Sequence, residues 1–403
     1  MTQKIKNMKN KIVVLAYSGG LDTSYCLKKL SSDGYQVHAI TINTGGFSNE
    51  EINQISKKAK KLGAKTYKCI NAISPFYNKI VKYLIFGNIL KNNTYPLSVS
   101  SERIIQAIEI VNYAIKNNAT HIAHGSTGAG NDQVRFDMIF QILAPEIKII
   151  TPIRDGNISR KEEINFLEQK GVKIKWSEAK YSINRGLWGT TIGGDETLTS
   201  NKSLPETAFF KISPKNDFKK ISLTFYQGEV FKINGEKMTP IKIIEKISSL
   251  CAEYGIGRDI HVGDTIIGIK GRVGFEAGGP LVIIKSHHLL EKHTLTKWQQ
   301  FQKEQISSFY GMLLHEGQFL DPVVRDIEAF LKSSQKNVSG EVLISLYPKR
   351  FELEGINSKN DLMSSRFASY GESNTKWDAE DVKGFIKIIS NQNKIFQYVH
   401  SKK

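Results

Sequence analysis

The strongest chemical signal in the chain is a nine-residue run of Ala16, Tyr17, Ser18, Gly19, Gly20, Leu21, Asp22, Thr23 and Ser24. An apolar run at 12–15 precedes it and an apolar helical stretch at 25–30 follows, so a glycine- and hydroxyl-rich loop joins a buried strand to a helix. Gly19 and Gly20 lack Cβ atoms, which lets backbone N–H groups turn towards an anion, and the helix adds its positive N-terminal end. Ser18, Thr23 and Ser24 add hydroxyl donors. The lysine of a G-x-x-x-x-G-K-[ST] loop is missing, so the expectation is a pyrophosphate grip made by backbone amides. A tight turn capped by Ser18 or Asp22 is the competing explanation.

A second cluster follows a predicted strand that ends at His124. It runs from Gly125 to Phe136 and contains Thr127 and Asn131 as neutral donors, Asp132 as a carboxylate and Arg135 as a fork for an anion. Taken alone, a glycine-rich turn capped by Asn131 or Asp132 fits equally well. Two such loops at the edge of one parallel sheet point to a ligand cleft. His124 reads as a strand-end histidine with satisfied hydrogen bonds, ahead of a proton-transfer role. Cys26, Cys69 and Cys251 are too far apart for a metal or disulfide pattern and read as small buried hydrophobes. A reactive thiol at Cys26 is the rival reading.

The elements that must hold these loops alternate between short apolar runs and amphipathic helices up to about Gly171, which predicts a parallel sheet covered on both faces. Strands are expected at 12–16, 37–42, 66–70, 121–124 and 147–150. Ile104, Ile108, Val111 and Ile115 share one helical face, and Ser159 with Glu162 forms a capping box. After Lys175 the pattern changes to paired strands at 221–226 and 229–233, with Asn234-Gly235 as a turn signal. Helices are expected at 240–254, 289–314 and 322–332, with further strands near 260–270, 281–285 and 341–348. From Trp377 onward, Val382, Phe385, Ile386, Ile389, Phe396 and Val399 fall on one side of a helix, read as an oligomer contact or as packing on the same chain. The expected domains are 1–173, 174–370 and 371–403.

The chain has 403 residues, 40% hydrophobic residues and a net charge of +17, with a mean hydropathy of -0.30. These values suit a soluble protein of two or three domains. No stretch is long enough to span a membrane, and the apolar run near the start stops at Ser18, too soon for a signal peptide; the expected location is the cytoplasm. The positive charge admits a nucleic-acid partner, but the basic residues form no stripe with interleaved aromatics. Lys57, Lys58, Lys60 and Lys61 read as a solvated helix face.

The two loops together resemble the argininosuccinate synthase family. Residues 16–24 match that family's nucleotide signature, shared with the wider ATP pyrophosphatase group, and Gly-x-Thr-Gly-x-Gly-Asn-Asp-Gln-Val-Arg-Phe at 125–136 matches its more specific substrate signature. The resemblance implies an α/β fold: a parallel-sheet nucleotide-binding domain of the adenine nucleotide alpha hydrolase-like type, an α+β synthetase domain and a C-terminal helix. It implies ATP-dependent joining of citrulline to aspartate through a citrullyl-adenylate, with Mg2+ bridging phosphate oxygens, in a homotetramer without nucleic acid or membrane. ATP would lie on residues 16–24, Ile42 and Gly125; aspartate on Thr127, Asn131 and Asp132; citrulline on Tyr95, Ser100, Asn131, Arg135, Ser182 and Thr191. No enzyme nucleophile is needed, and Asp22 is the one catalytic candidate, in the outer sphere of the metal. The chain departs from the family pattern at Ala129, and at Gly263 and Phe275, where relatives carry a glutamate and a tyrosine. Two rivals remain: a tRNA-modifying adenylating sulfurtransferase with the same loop, and a non-catalytic metabolite-binding relative.

Overall fold

The computed structural model describes residues 11–172, 181–209, 215–364, 367, 370 and 376–401. Five parallel strands form the first sheet: β1 (Ile12–Ala16), β2 (Gln36–Asn43), β3 (Thr66–Asn71), β4 (His121–Ala123) and β5 (Lys148–Ile150). Their spatial order is β3-β2-β1-β4-β5. The strands feed opposite directions on either side of the β1/β4 pair, so a crevice opens beyond their C-terminal ends, where both sequence motifs lie. Side chains alternate across β1: Val13 and Leu15 pack with Leu27 and Leu62 on one face, while Val14 packs with Ile104 and Ile122 on the other.

The helices follow the sequence pattern closely. Leu21–Ser32 starts directly after the first loop, Asn49–Leu62 opens with a Ser48–Glu51 capping box, and Arg160–Gln169 opens with the expected Ser159–Glu162 box. In the helix Ser98–Lys116, Ile104, Ile108 and Val111 are buried, but Ile115 is exposed because the last turn runs past the core.

The second half holds two antiparallel sheets, ordered β10-β9-β8-β13-β14 and β11-β12-β7-β6. Of the first, β8 (Lys219–Tyr226), β9 (Glu229–Ile233) and β13 (Gly340–Tyr347) agree with expectation, and Asn234 and Gly235 both take positive φ in the turn before β10 (Glu236–Lys237). The strand β14 (Arg350–Asn357) was not expected, although Phe351 and Leu353 alternate there with Arg350, Glu352 and Glu354. In the second sheet, the strand expected near 260–270 is a hairpin, β11 (Arg258–Asp264) and β12 (Lys270–Glu276), joined by a turn closed by Thr265 and Ile269. β6 (Ser182–Gly186) and β7 (Gly189–Gly193) form a further hairpin.

Two expectations are corrected. The apolar run at 281–285 is helical, inside Gly278–Thr294, because a short run buried on all sides has no period that separates strand from helix. The long helix expected at 289–314 is two helices, broken where Thr296 caps Lys297–His315. The C-terminal segment is likewise two helices, Ala379–Ile389 and Asn391–His400, with every described residue but Ser390 exposed. The expected domain boundary at 173/174 lies outside the described residues, as does the start of the third domain at 371. No helix among the described residues is long and apolar enough to cross a membrane.

Candidate active site

Gly19 sits at φ +80°, a conformation that costs glycine little, and a Cβ there would stand 3.0 Å from Ile55. The turn around it is held from inside by Ser18 Oγ and Thr23 Oγ1, 3.2 Å apart, and the Gly20 N–H points at Ser18 Oγ at 3.4 Å. Gly20 is the N-cap of Leu21–Ser32 and no side chain caps it, so the first-turn N–H groups of that helix stay directed at the crevice. Ser18 thus closes the turn without capping the helix that follows it. Lys58, read as part of a solvated face, instead donates from Nζ to the Gly19 carbonyl at 2.7 Å, and burial lowers its pKa; Lys57, Lys60 and Lys61 are exposed as expected. No sequence signal separated Lys58 from its neighbours. The Asp22 carboxyl lies against Glu163 and Arg160 on the neighbouring helix, and burial raises the pKa of both acids, Glu163 to about 8. Asp22 thus belongs to a carboxyl pair that shares a proton.

The second loop meets the first. A Cβ on Gly125 would stand 3.3 Å from the Asp22 carbonyl carbon and 3.3 Å from the Thr23 nitrogen, so the two backbones touch across the β1/β4 crevice. His124 is buried and fully engaged: Nδ1 accepts from the Ser126 N–H at 3.2 Å, and Nε2 faces Asp137 at 2.8 Å, itself paired with Arg154 at 2.7 Å. It braces the loop, as the strand-end reading expects. Thr127 and Ala129 are exposed at the loop's tip. Asn131 occupies the N-cap position of Asp132–Leu143 without capping it; its Oδ1 accepts from the Ile266 N–H at 2.8 Å, tying the loop to the β11–β12 turn.

Asp132 bridges two arginines, at 2.8 Å from Arg103 Nε and 3.0 Å from Arg135 Nη1. Burial pushes the Asp132 carboxyl up, but the two guanidinium groups outweigh it and hold it below the ordinary carboxylate range. Arg135 also donates from Nε and Nη2 to the His315 carbonyl, at 2.9 and 2.8 Å. Arg103 was not anticipated, although it stands one helical turn from Ser100 and shares its face. It also reaches Asn184 Oδ1 at 3.0 Å, which draws the β6–β7 hairpin onto the site.

That hairpin carries the remaining candidates. Asn184 pairs with Thr191 across the strands, and Thr191 pairs with Phe275 on β12, so Ser182, Asn184, Thr191, Phe275 and His261 lie on one face of the sheet. Tyr95 is buried over that face, stacked on His261 with centroids 5.3 Å apart and tilted against Phe275 at 5.5 Å. Its hydroxyl accepts from the Val99 N–H at 3.2 Å at the start of the Ser98–Lys116 helix, next to Ser100. Ile42 ends β2 beside this helix, in the same core. Ser182 and Thr191 thus share the sheet face against which Tyr95 packs, and Arg103 ties that sheet to Asp132 through Asn184.

This geometry coincides with an assignment reached independently. A family profile described as the arginosuccinate synthase N-terminal HUP domain matches residues 12–173, and one described as the arginosuccinate synthase C-terminal domain matches 181–396. The chain belongs to the argininosuccinate synthase family. Among curated relatives of that name, the protein of Methanocaldococcus jannaschii is 36% identical over 391 residues, 96% of this chain and 98% of its own length. The protein of Xylella fastidiosa is 34% identical, covering 98% and 99%, and that of Sulfolobus acidocaldarius is 37% identical, covering 94% and 96%. Argininosuccinate synthases therefore align with this chain across both glycine-rich loops and the second sheet. The cysteines lend no support to the sulfurtransferase alternative: Cys26 and Cys251 are buried, Cys69 is half-buried, and burial raises all three thiol pKa values, Cys251 to about 12.

Proposed function

We propose that this chain is an ATP-dependent carbon–nitrogen ligase that condenses citrulline with aspartate, releasing AMP and pyrophosphate, in arginine biosynthesis. The observation that supports this reading is the contact between Gly125 and the Asp22–Thr23 backbone, which brings the two glycine-rich loops together at one crevice. The ureido oxygen of citrulline attacks the α-phosphorus of ATP; the new O–P bond forms as the bond to pyrophosphate breaks. The aspartate amine then attacks the ureido carbon, a C–N bond forms, and AMP leaves with the oxygen. Both nucleophiles come from substrates, so the protein supplies position and charge.

The loop amides at 18–21 and the helix behind them would take the departing pyrophosphate, with the Lys58 ammonium adding positive field. Ile42 would lie against the nucleotide, as would Gly125. Asp132, held ionised, would accept from the aspartate ammonium beside Thr127 and the free amide nitrogen of Asn131. Arg135 would take the citrulline carboxylate, with Tyr95, Ser100, Ser182 and Thr191 lining that pocket. Mg2+ would enter bound to ATP, neutralising its phosphate oxygens, with the Ser18 and Thr23 hydroxyls as nearby oxygen donors; Asp22 fits poorly, because it shares a proton with Glu163. Among the described residues no cluster of three or more His, Cys, Asp or Glu side chains could hold an ion by itself. The setting would be cytoplasmic, and the exposed apolar faces of Ala379–Ile389 and Asn391–His400 suit a homotetramer, each covered by a second copy. Division at 1–173, 174–370 and 371–403 remains our reading of the domains. The test is pyrophosphate release from ATP, whose repeated turnover should require citrulline and aspartate together; repeated turnover with either alone, or any release without citrulline, would refute it.

A further inference from the structure

The end of the acceptor pocket beyond Arg135 is cationic. Lys91 is joined to Tyr95 through its backbone, with the Lys91 N–H donating to the Tyr95 carbonyl at 2.8 Å, and no carboxylate lies within ion-pair distance of its ammonium among the described residues. Tyr95 stacks on His261, and Arg135 grips the carbonyl of His315. The two imidazoles are 6% and 7% exposed, and each has a buried Nδ1 with no hydrogen-bond partner. Burial, with Lys91 and Arg135 nearby, pushes the His315 pKa down to about 3, and burial with Lys91 lowers that of His261, so both rings are neutral.

The carboxylates that face this region are few. Glu316 and Asp264 come near enough to Lys91 to raise its pKa, against the larger lowering effect of burial, but Asp264 is paired with Lys270 at 2.7 Å. Asp132 is shared by Arg103 and Arg135. Gly263 offers no room for an acid: a Cβ there would stand 2.7 Å from His261 Nε2. Phe275 presents only a ring.

An α-amino acid whose carboxylate sits on Arg135 must put its ammonium into this positive field, which costs binding energy. A neutral amide at the same carbon meets no such penalty. Its N–H and C=O also match two unpaired ring nitrogens, each able to accept or donate according to tautomer. From this juxtaposition of Lys91, His261, His315 and Arg135 we infer that the acceptor pocket takes ureido acids whose α-nitrogen is acylated, and binds them at least as tightly as citrulline. The inference rests on the ligase reading for the identity of the pocket, and adds a second acceptor class to it.

Calorimetric titration of the full-length protein with citrulline and with N-acetylcitrulline separates the two ideas, because binding does not require turnover. The expected result is an equal or lower Kd for N-acetylcitrulline. A lower Kd for citrulline, or no binding of the acyl compound, overturns the inference. Lys91→Glu should move the Kd ratio towards citrulline on the order of tenfold, and Lys91→Gln should move it less in the same direction; an unchanged ratio in both variants also overturns it. Pyrophosphate release with ATP and aspartate, run with each acceptor in parallel, reports on the ligase reading by itself: failure with both acceptors rejects ligation whatever the binding ratio.

Discussion

The backbone of Gly125 rests on that of Thr23, 3.3 Å from where any Cβ would stand to the Thr23 nitrogen. Neither side of this contact is a flexible side chain, so an added methyl group must push the phosphate loop by a few tenths of an ångström. Gly125→Ala should lower kcat/KM for ATP by about tenfold or more, while Tm moves by only about 2 °C. Steady-state kinetics with ATP varied would show this; wild-type kinetics would mean that the loops are not coupled.

Lys58 tethers the Gly19 carbonyl and brings one positive charge to the same loop. Lys58→Met should raise KM for ATP roughly tenfold and leave KM for citrulline within about twofold. Equal rises for both substrates would show that the residue acts through general stability.

Asp132→Ala removes the carboxylate between Arg103 and Arg135. The aspartate KM should rise far more than the ATP KM, by about tenfold against less than threefold. Leaving the buried Arg135 and half-buried Arg103 guanidinium groups short of a partner should also cost about 1–3 kcal/mol in chemical denaturation. Matching effects on both substrates would contradict the aspartate role.

Glu102 is a buried carboxyl whose Oε2 accepts from Thr44 Oγ1 at 3.0 Å, while Oε1 fills the space left by the missing Cβ of Gly186. Burial raises its pKa to about 8, against an opposing pull from Arg103. The folded protein therefore keeps a proton that the unfolded chain loses near the ordinary carboxylate pKa of 4.5. Its contribution is complete below that pH, declines as pH rises, and is gone above about 8. Glu163 follows the same course. Glu102→Gln should flatten the loss of stability between about pH 5 and pH 9 by at least about 1 kcal/mol, measured by denaturation at each pH. An unchanged slope would place the ionised form in the fold.

Phe385, Ile386, Ile389, Ile395 and Phe396 are exposed on the two terminal helices. If the proposed tetramer forms through these helices, deleting residues 377–403 should convert it to smaller species in light scattering. A full-length chain that scatters at its monomer mass of 45.4 kDa would dispose of the tetramer.

Local patterns made the first domain readable. Short apolar runs in β1 and β2, a capping box at Ser159 and a glycine loop between strand and helix are all fixed by residues within a few positions of one another, and each formed as expected. The run at 281–285 departs from expectation for the same reason turned round: four successive apolar residues, Leu281 to Ile284, satisfy either period, and only the surrounding core selects the helix.

The sequence by itself determined the two glycine-rich loops, the parallel sheet that carries them and the candidate residues within each motif, because those depend on backbone chemistry over short spans. Only the tertiary structure decided that Lys58 leaves its solvated neighbours for Gly19, that Arg103 joins Asp132 to Asn184, and that Lys91, His261 and His315 meet around Tyr95. Those partners are dozens to hundreds of positions apart, and their charges and burial acquire meaning only when packing removes water from between them.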